Sequence, residues 1–265
     1  MIDGKVVNAL VRNPATLRCP ICLMTSKDYK NIRPNTFDHS KTNAETLKLA
    51  LSSLHSQFKL FEFLIEIHRR QEKTKLLQKN VNITKSELKT EMEKSKDVYR
   101  KKIWNLMKSK IDYVKPGFGS SNTGPNVKRC LENPELLSQI LEIDAEFIRN
   151  ICRLSNFFKS KKKPTKEEWY DVVQKIYDTY ESNYINFMNL PPSNHKILIH
   201  GFDIINSFEK GPFFYSEEAQ EAVNEKLRSI RLNHSRKNSF KNMTYDIASY
   251  FYISTDPLVI YSNIY

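Results

Sequence analysis

Apolar residues recur every three or four positions between Asn43 and about Lys73, the spacing that places them on one face of an α-helix. The residues that make this pattern are Leu47, Leu51, Leu54, Phe58, Phe61 and Ile65. We therefore predict one long helix over this stretch. The chain has only six glycines and long runs of Lys, Glu and Leu, which favours further helix.

Helix start signals divide the rest of the chain. Thr84 with Glu87, and Thr165 with Glu168, have the spacing of a capping box, in which hydroxyl and carboxylate each satisfy an unpaired backbone amide. The first predicts a helix that ends near Val114. The second predicts a helix whose apolar residues are Trp169, Val172, Ile176 and Tyr180.

Proline, glycine and lysine mark the remaining boundaries. Asn133 before Pro134 predicts a helix start, and a further helix is expected from near Asp144 to Phe158. Residues 116–126 are rich in Gly and Pro and predict a loop, and the lysines of residues 159–163 predict a solvated hinge.

The two ends of the chain complete a mainly α fold class. Residues 1–25 predict a short strand or helix start, followed by a turn that carries two cysteines. Residues 195–208 are expected to be helical. Ser216 is a suitable N-cap for a last helix that reaches about Arg236.

The charge balance favours a polyanionic partner. The formal net charge is +12, from 42 Lys and Arg against 30 Asp and Glu, which indicates nucleic acid before a membrane. The alternative is that abundant Lys, Asn, Ile and Tyr reflect an AT-rich coding bias and carry no functional meaning.

Cysteine usage and hydropathy point to an intracellular protein. No signal peptide is recognised at the start, and no apolar run reaches the length of a membrane span. In a reducing compartment Cys19 and Cys22 are expected to be metal ligands or free thiols. Cys130 and Cys152 are expected to pack as small apolar residues.

Cys19-Pro-Ile-Cys22 and His195-Lys-Ile-Leu-Ile-His200 together contain a complete tetrahedral zinc set. Two histidines five residues apart do not share one face of an α-helix, so one of them is expected at a helix end. His39 competes as a local third ligand beside the cysteines. The spacing by itself leaves these alternatives open.

The last predicted helix begins with acidic residues and continues with basic ones. Its polar side is expected to comprise Glu218, Glu221, Asn224 and Arg228, and its core side Ala222, Val223, Leu227 and Ile230. Carboxylates there could hold a divalent metal, although acids are favoured at any helix N-terminus. The basic residues that could contact phosphates are Arg228, Arg231, Arg236 and Lys237, with Lys128 and Arg129 after the loop.

Five motifs taken in order resemble one family. They are Asp3-Gly-Lys-Val-Val-Asn-Ala-Leu, the Cys19–Cys22 pair, Asn126-Val-Lys-Arg129, the His195–His200 pair and Glu218-Ala-Gln-Glu221-Ala-Val-Asn224. The family is that of the Transib-type DDE transposases and the catalytic subunit of the vertebrate V(D)J recombinase. The resemblance includes the RAG-like proteins encoded by invertebrate transposons.

The resemblance implies an RNase H-like core interrupted by a large helical insertion. Residues 1–18 would be the remnant of a core strand, residues 19–205 the insertion, and residues 206–265 the last core helix and tail. It also implies zinc held by Cys19, Cys22, His195 and His200, and no ligand role for His39.

The same resemblance implies the catalytic residues. Asp3 and Glu221 would hold catalytic Mg²⁺ or Mn²⁺, with Glu218 as an accessory acid. Asn126 and Asn224 would join the basic residues in binding DNA. The family's first Asp lies upstream of Asp3, so this chain is expected to lack it and to be inactive alone. The resemblance implies a nuclear protein that could form a homodimer and has no membrane partner. The alternative is a domesticated, non-catalytic DNA-binding or protein-interaction module.

Overall fold

The computed structural model describes residues 18–47, 51–114, 120–216 and 218–256. Within these ranges the protein is mainly helical, as predicted, and strand pairing is limited to isolated bridges. The chain divides into two compact units, Met1–Ser216 and Glu217–Tyr265. Asp3 and the rest of residues 1–17 lie outside the described residues.

The helices of the first unit are numbered in chain order. They are α1 (Ala44–Leu47), α2 (Ser53–Lys79), α3 (Lys85–Met107), α4 (Gly124–Leu131), α5 (Pro134–Leu141), α6 (Ala145–Phe157), α7 (Lys166–Asn183), α8 (Pro192–His195), a π-helix (Lys196–His200) and α9 (Gly201–Asn206). Short 3₁₀ turns occupy Asp28–Asn31, His39–Lys41 and Pro212–Tyr215.

Helix α2 is the centre of the first unit. It packs against α3, α4, α5, α6 and α8, while α7 packs against α6. Its buried apolar residues are Leu54, Leu60, Phe61, Phe63, Leu64, Ile65 and Ile67. His68 joins three of these helices, because its Nδ1 lies 2.8 Å from the Leu141 carbonyl of α5 and its ring meets Tyr99 of α3 edge-on.

Both predicted capping boxes are confirmed. The Thr84 and Thr165 side chains each accept from the third helical amide, and Glu87 and Glu168 bond back to the threonine amides. The starts predicted at Pro134 and after Asp144 are also present, and the Asp144 side chain accepts from the Phe147 amide at 2.7 Å.

Helix ends were predicted less well than helix starts. The long helix predicted from Asn43 is replaced by α1 and α2, because the Ser52 side chain caps a new helix by accepting from the His55 amide. Helix α3 ends at Met107 and not near Val114, because Lys108 takes a left-handed conformation with φ of 51°. Residues 124–126, predicted as loop, begin α4.

Over residues 218–256, the second unit contains two helices that pack against each other, α10 (Glu218–Asn233) and α11 (Phe240–Thr255). Helix α10 was predicted to reach Arg236, and α11 was not predicted. Ala222 and Val223, expected on the core side of α10, are exposed, whereas Ile230 is buried. None of the described helices is both long and apolar enough to cross a membrane.

Candidate metal centre

The two cysteines lie in a tight hairpin at the start of the described chain. Arg18 and Thr25 form an antiparallel bridge, and the Cys19 amide donates to the Met24 carbonyl at 2.9 Å. Leu23 has φ of 58°, and this left-handed residue lets the chain reverse direction. The hairpin therefore presents the sulfurs of Cys19 and Cys22 to the same site.

The two histidines meet because the helix changes its winding between them. In an α-helix, residues five positions apart point about 140° away from each other. Residues Lys196–His200 instead form one turn of π-helix, whose bonds join residues five apart. His195 and His200 therefore lie on the same face of the helix, with ring centroids 5.3 Å apart. The sequence had predicted that they would not share a face.

The hairpin and the π-helix bring four ligand atoms together. One atom each from Cys19, Cys22, His195 and His200 lies within 4.8 Å of all the others, and Cys22 Sγ lies 3.4 Å from His195 Nε2. Neighbouring ligand atoms of tetrahedral zinc are about 3.3–3.8 Å apart. With a small contraction, the cluster could hold a structural metal ion such as zinc.

Burial of the cluster favours a bound metal. Cys19, His195 and His200 are completely buried, and His195 Nδ1 and both ring nitrogens of His200 have no hydrogen-bond partner. An unsatisfied buried polar atom costs about 1–3 kcal/mol. A metal ion would give a partner to a nitrogen of His200 that otherwise has none.

Electrostatics in the cluster favour the metal-binding protonation states of Cys19 and His195, but not that of Cys22. Burial acts to raise the pKa of the Cys19 thiol, but the favourable electrostatic influence of the neighbouring Cys22, His195 and His200 outweighs it and lowers this pKa. The hydrogen bond to Cys19, together with burial, raises the pKa of Cys22. Burial lowers the pKa of His195 and so favours its neutral imidazole. A thiolate beside a neutral imidazole is the form that ligates metal.

Aromatic side chains hold the histidine rings. Tyr29 stacks on His195 at a centroid distance of 4.0 Å, and its hydroxyl donates to the Met24 carbonyl in the cysteine hairpin at 3.1 Å. Phe37 meets the His200 ring edge-on at 5.0 Å. These contacts fix the ring orientations, which sequence periodicity did not predict.

His39 is not part of the cluster. Its Nδ1 lies 2.6 Å from Asp203 Oδ2, and its Nε2 lies 3.4 Å from the Tyr170 hydroxyl. The alternative that His39 is a local third ligand is therefore wrong for this geometry. Its carboxylate partner lies 164 positions further along the chain, so no local pattern could have identified the pair.

Two of the predicted DNA-contact residues near the loop have structural partners. Asn126 Nδ2 donates to the Lys110 and Ser121 carbonyls at 2.8 and 3.2 Å. Arg129 donates to the Lys108 carbonyl at 2.6 Å, at the end of α3. Lys128 is exposed, with a long 3.8 Å contact to Glu132, and remains a candidate for binding phosphate.

Apart from Asp3, the other predicted site residues lie on the second unit. Asn224, Arg228, Arg231 and Lys237 are exposed, and their role in DNA binding stays a prediction. Glu218 and Glu221 belong to the first turns of α10, but the described residues do not include their side chains. The proposed Mg²⁺ or Mn²⁺ ligands therefore also stay a prediction.

Arg236 has a specific partner. Its Nε and Nη2 donate to the two carboxylate oxygens of Asp246 at 3.0 and 2.8 Å, and its amide donates at 2.8 Å. These bonds lower the pKa of Asp246 to about 2. The ion pair joins the connection after α10 to α11.

We expect Arg236→Met to raise the pKa of Asp246 toward its ordinary value, because both side-chain bonds to the carboxylate are lost. The stabilisation by this pair is present above the ordinary Asp pKa of 3.8 and is lost as the pH falls toward about 2. An NMR titration of the Asp246 carboxyl measures the change, with Lys237→Met as the control. Equal pKa values in both variants would contradict the assignment.

Comparison of the sequence with models of known families and with curated proteins finds no match. The function is therefore inferred from the residues and geometry of the cluster.

Proposed function

We propose that this chain is the zinc-stapled part of the catalytic core of a Transib-type DDE recombinase. It would bind DNA and, together with the upstream part of that core, nick and join transposon ends. One observation carries the proposal. The four residues that the resemblance implies as zinc ligands, separated by up to 181 positions between Cys19 and His200, have donor atoms within 4.8 Å.

A zinc ion at this cluster has a clear physical role. Closing a loop of this length costs entropy, and a metal that binds only the folded state offsets that cost. The segment before Cys19, which carries Asp3, and the segment after His200, which leads to Glu221, then start from the same place in the fold. The resemblance assigns these two acids to one catalytic site.

In the proposed reaction, carboxylates of the chain hold the catalytic metal ions. Asp3 and Glu221 would supply oxygen ligands, with Glu218 as an accessory acid. Bound Mg²⁺ or Mn²⁺ would stabilise the attacking and leaving oxygens of the phosphoryl transfer. Exposed basic residues, including Lys128, would contact the DNA backbone, so binding should weaken as the salt concentration rises. A homodimer follows by family analogy alone.

The test is metal-dependent nicking of a labelled DNA duplex. The chain is assayed alone and together with a separately supplied segment that carries the family's upstream strands and first Asp. Nicking is expected on complementation, and Glu221→Gln should abolish it. The matched control is Glu225→Gln, because Glu225 is exposed on the same helix.

The other outcomes separate the alternatives. Salt-dependent duplex binding without nicking in any mixture would support a non-catalytic DNA-binding module and reject the recombinase. A chain that contains zinc but binds no duplex at low salt would reject both proposals. A large loss of stability in Glu221→Gln would indicate that Glu221 is a structural residue.

A further inference from the structure

A second feature of the first unit lies on its surface, where residues 159–163 meet residues 208–215. The Phe213 amide donates to the Ser160 carbonyl at 3.2 Å, and the Lys163 ammonium donates to the Phe208 carbonyl. Gly211 packs so closely on Lys161 that an added Cβ would lie 2.2 Å from the Lys161 carbonyl oxygen. These contacts fix the two segments against each other.

Two neighbouring phenyl rings project from this fixed turn. Phe213 is 48% exposed and Phe214 is 54% exposed, whereas Pro212 beside them is buried. The two ring centroids are 5.6 Å apart and the ring planes are nearly perpendicular. Single exposed apolar residues are ordinary, whereas two adjacent exposed rings form a contiguous apolar patch that a partner could cover.

One lysine ammonium group lies over a face of each ring, which leaves the opposite face for a partner. Lys161 Nζ lies 5.3 Å from the Phe213 centroid, and Lys210 Nζ lies 5.5 Å from the Phe214 centroid. Residues 159–168 and 208–215 together contain six lysines and three glutamates. Lys161, Lys162 and Lys210 are all exposed, so their ammonium groups are open to an anionic partner.

We propose that this surface, named here the Phe213–Phe214 platform, binds single-stranded nucleic acid. Unpaired bases would stack on the two rings, and the adjoining phosphates would bind Lys161, Lys162 and Lys210. A phenyl ring has no group that hydrogen-bonds to phosphate, so within a nucleic acid it gains most contact by stacking on the flat face of a base. A duplex hides those faces within its own stack, which makes a single strand the better partner.

This inference goes beyond the proposed function. Stacking on the platform requires neither Asp3 nor Glu221 and no catalytic metal. The platform also uses different residues from the predicted DNA contacts, which include Lys128 and the basic residues of α10. The two proposals can therefore fail independently.

The experiment measures binding of a fluorescent oligothymidylate of about 12 nucleotides to the zinc-containing chain, without added Mg²⁺. The double variant Phe213→Leu with Phe214→Leu keeps apolar area at both positions but removes the aromatic faces. We expect affinity to fall about tenfold or more, since each stacked base is lost. Replacing both rings by tyrosine should preserve binding.

The lysines are tested through the salt dependence. Lys161→Gln with Lys210→Gln should reduce the slope of log affinity against log salt by about 1.4, which is roughly 0.7 for each lost phosphate contact. The control pair is Lys75→Gln with Lys94→Gln, which changes the net charge equally. Both control lysines pair with glutamates elsewhere, Lys75 with Glu72 and Glu142, and Lys94 with Glu91.

Several results would overturn the proposal. Equal oligothymidylate affinity in the leucine variant and the original chain would exclude stacking. Binding to vesicles that contain phosphatidylserine, retained by the leucine variant and lost in the lysine variant, with no oligonucleotide binding, would identify a membrane surface instead. A large fall in melting temperature in both the leucine and the tyrosine variants would show that the rings are covered by the chain itself.

Discussion

Cys19→Ala is expected to reduce the zinc content from about one ion per chain to nearly none and to lower stability by several kcal/mol. Structural zinc contributes roughly 10–16 kcal/mol of binding free energy to zinc-finger peptides near pH 7. Loss of a ligand removes much of that contribution here. It also leaves buried His195 and His200 without a metal to satisfy their ring nitrogens. Metal analysis and urea unfolding measure the two effects.

Cys130→Ala is the matched control for this prediction. Cys130 is as completely buried as Cys19, so both substitutions remove the same buried sulfur and leave the same small cavity. Of Cys19 and Cys130, only Cys19 belongs to the metal cluster. Any extra loss in Cys19→Ala therefore reports the metal. Equal zinc content and equal stability in the two variants would refute a metal site at this cluster.

Gly201→Ala is expected to lower the free energy of unfolding by about 1–3 kcal/mol through overpacking. A Cβ on Gly201 would lie 2.5 and 2.6 Å from two ring atoms of Trp169, and 3.2 Å from Phe158. Trp169 is completely buried, so its ring has little room to move. Because Gly201 directly follows His200, displacement of the helix should also weaken zinc binding.

Gly124→Ala provides the control for the effect of alanine in a helix. Its Cβ would only reach ordinary contact, 3.4 Å from Leu54, so a neutral or slightly stabilising result is expected. Combining Gly201→Ala with Trp169→Phe should recover part of the loss, since the smaller ring leaves space for the added methyl. Additive losses in the double variant would argue against a clash with Trp169.

Local signals in the sequence predicted where helices begin. Thr84, Thr165 and Asp144 act through hydrogen bonds to amides three residues away, so the responsible residues are visible in a short stretch of sequence. Helix ends depended on backbone conformations that the sequence did not predict, such as the left-handed conformation of Lys108. The exposure of Val223 shows a similar limit, because helical periodicity does not reveal which face finds a partner.

The sequence by itself determined the helical fold class, the main helix starts and the chemical types needed for a metal site. It left open whether His39, or the pair His195 and His200, completes the set with the cysteines. Only the tertiary structure decided this, through the π-turn that aligns the two histidines and the packing that buries them beside Cys19. The physical reason is the separation along the sequence over which each interaction acts. Caps and helical periodicity act within a few residues, whereas the ligand atoms come from segments that are separated by several helices packed around α2.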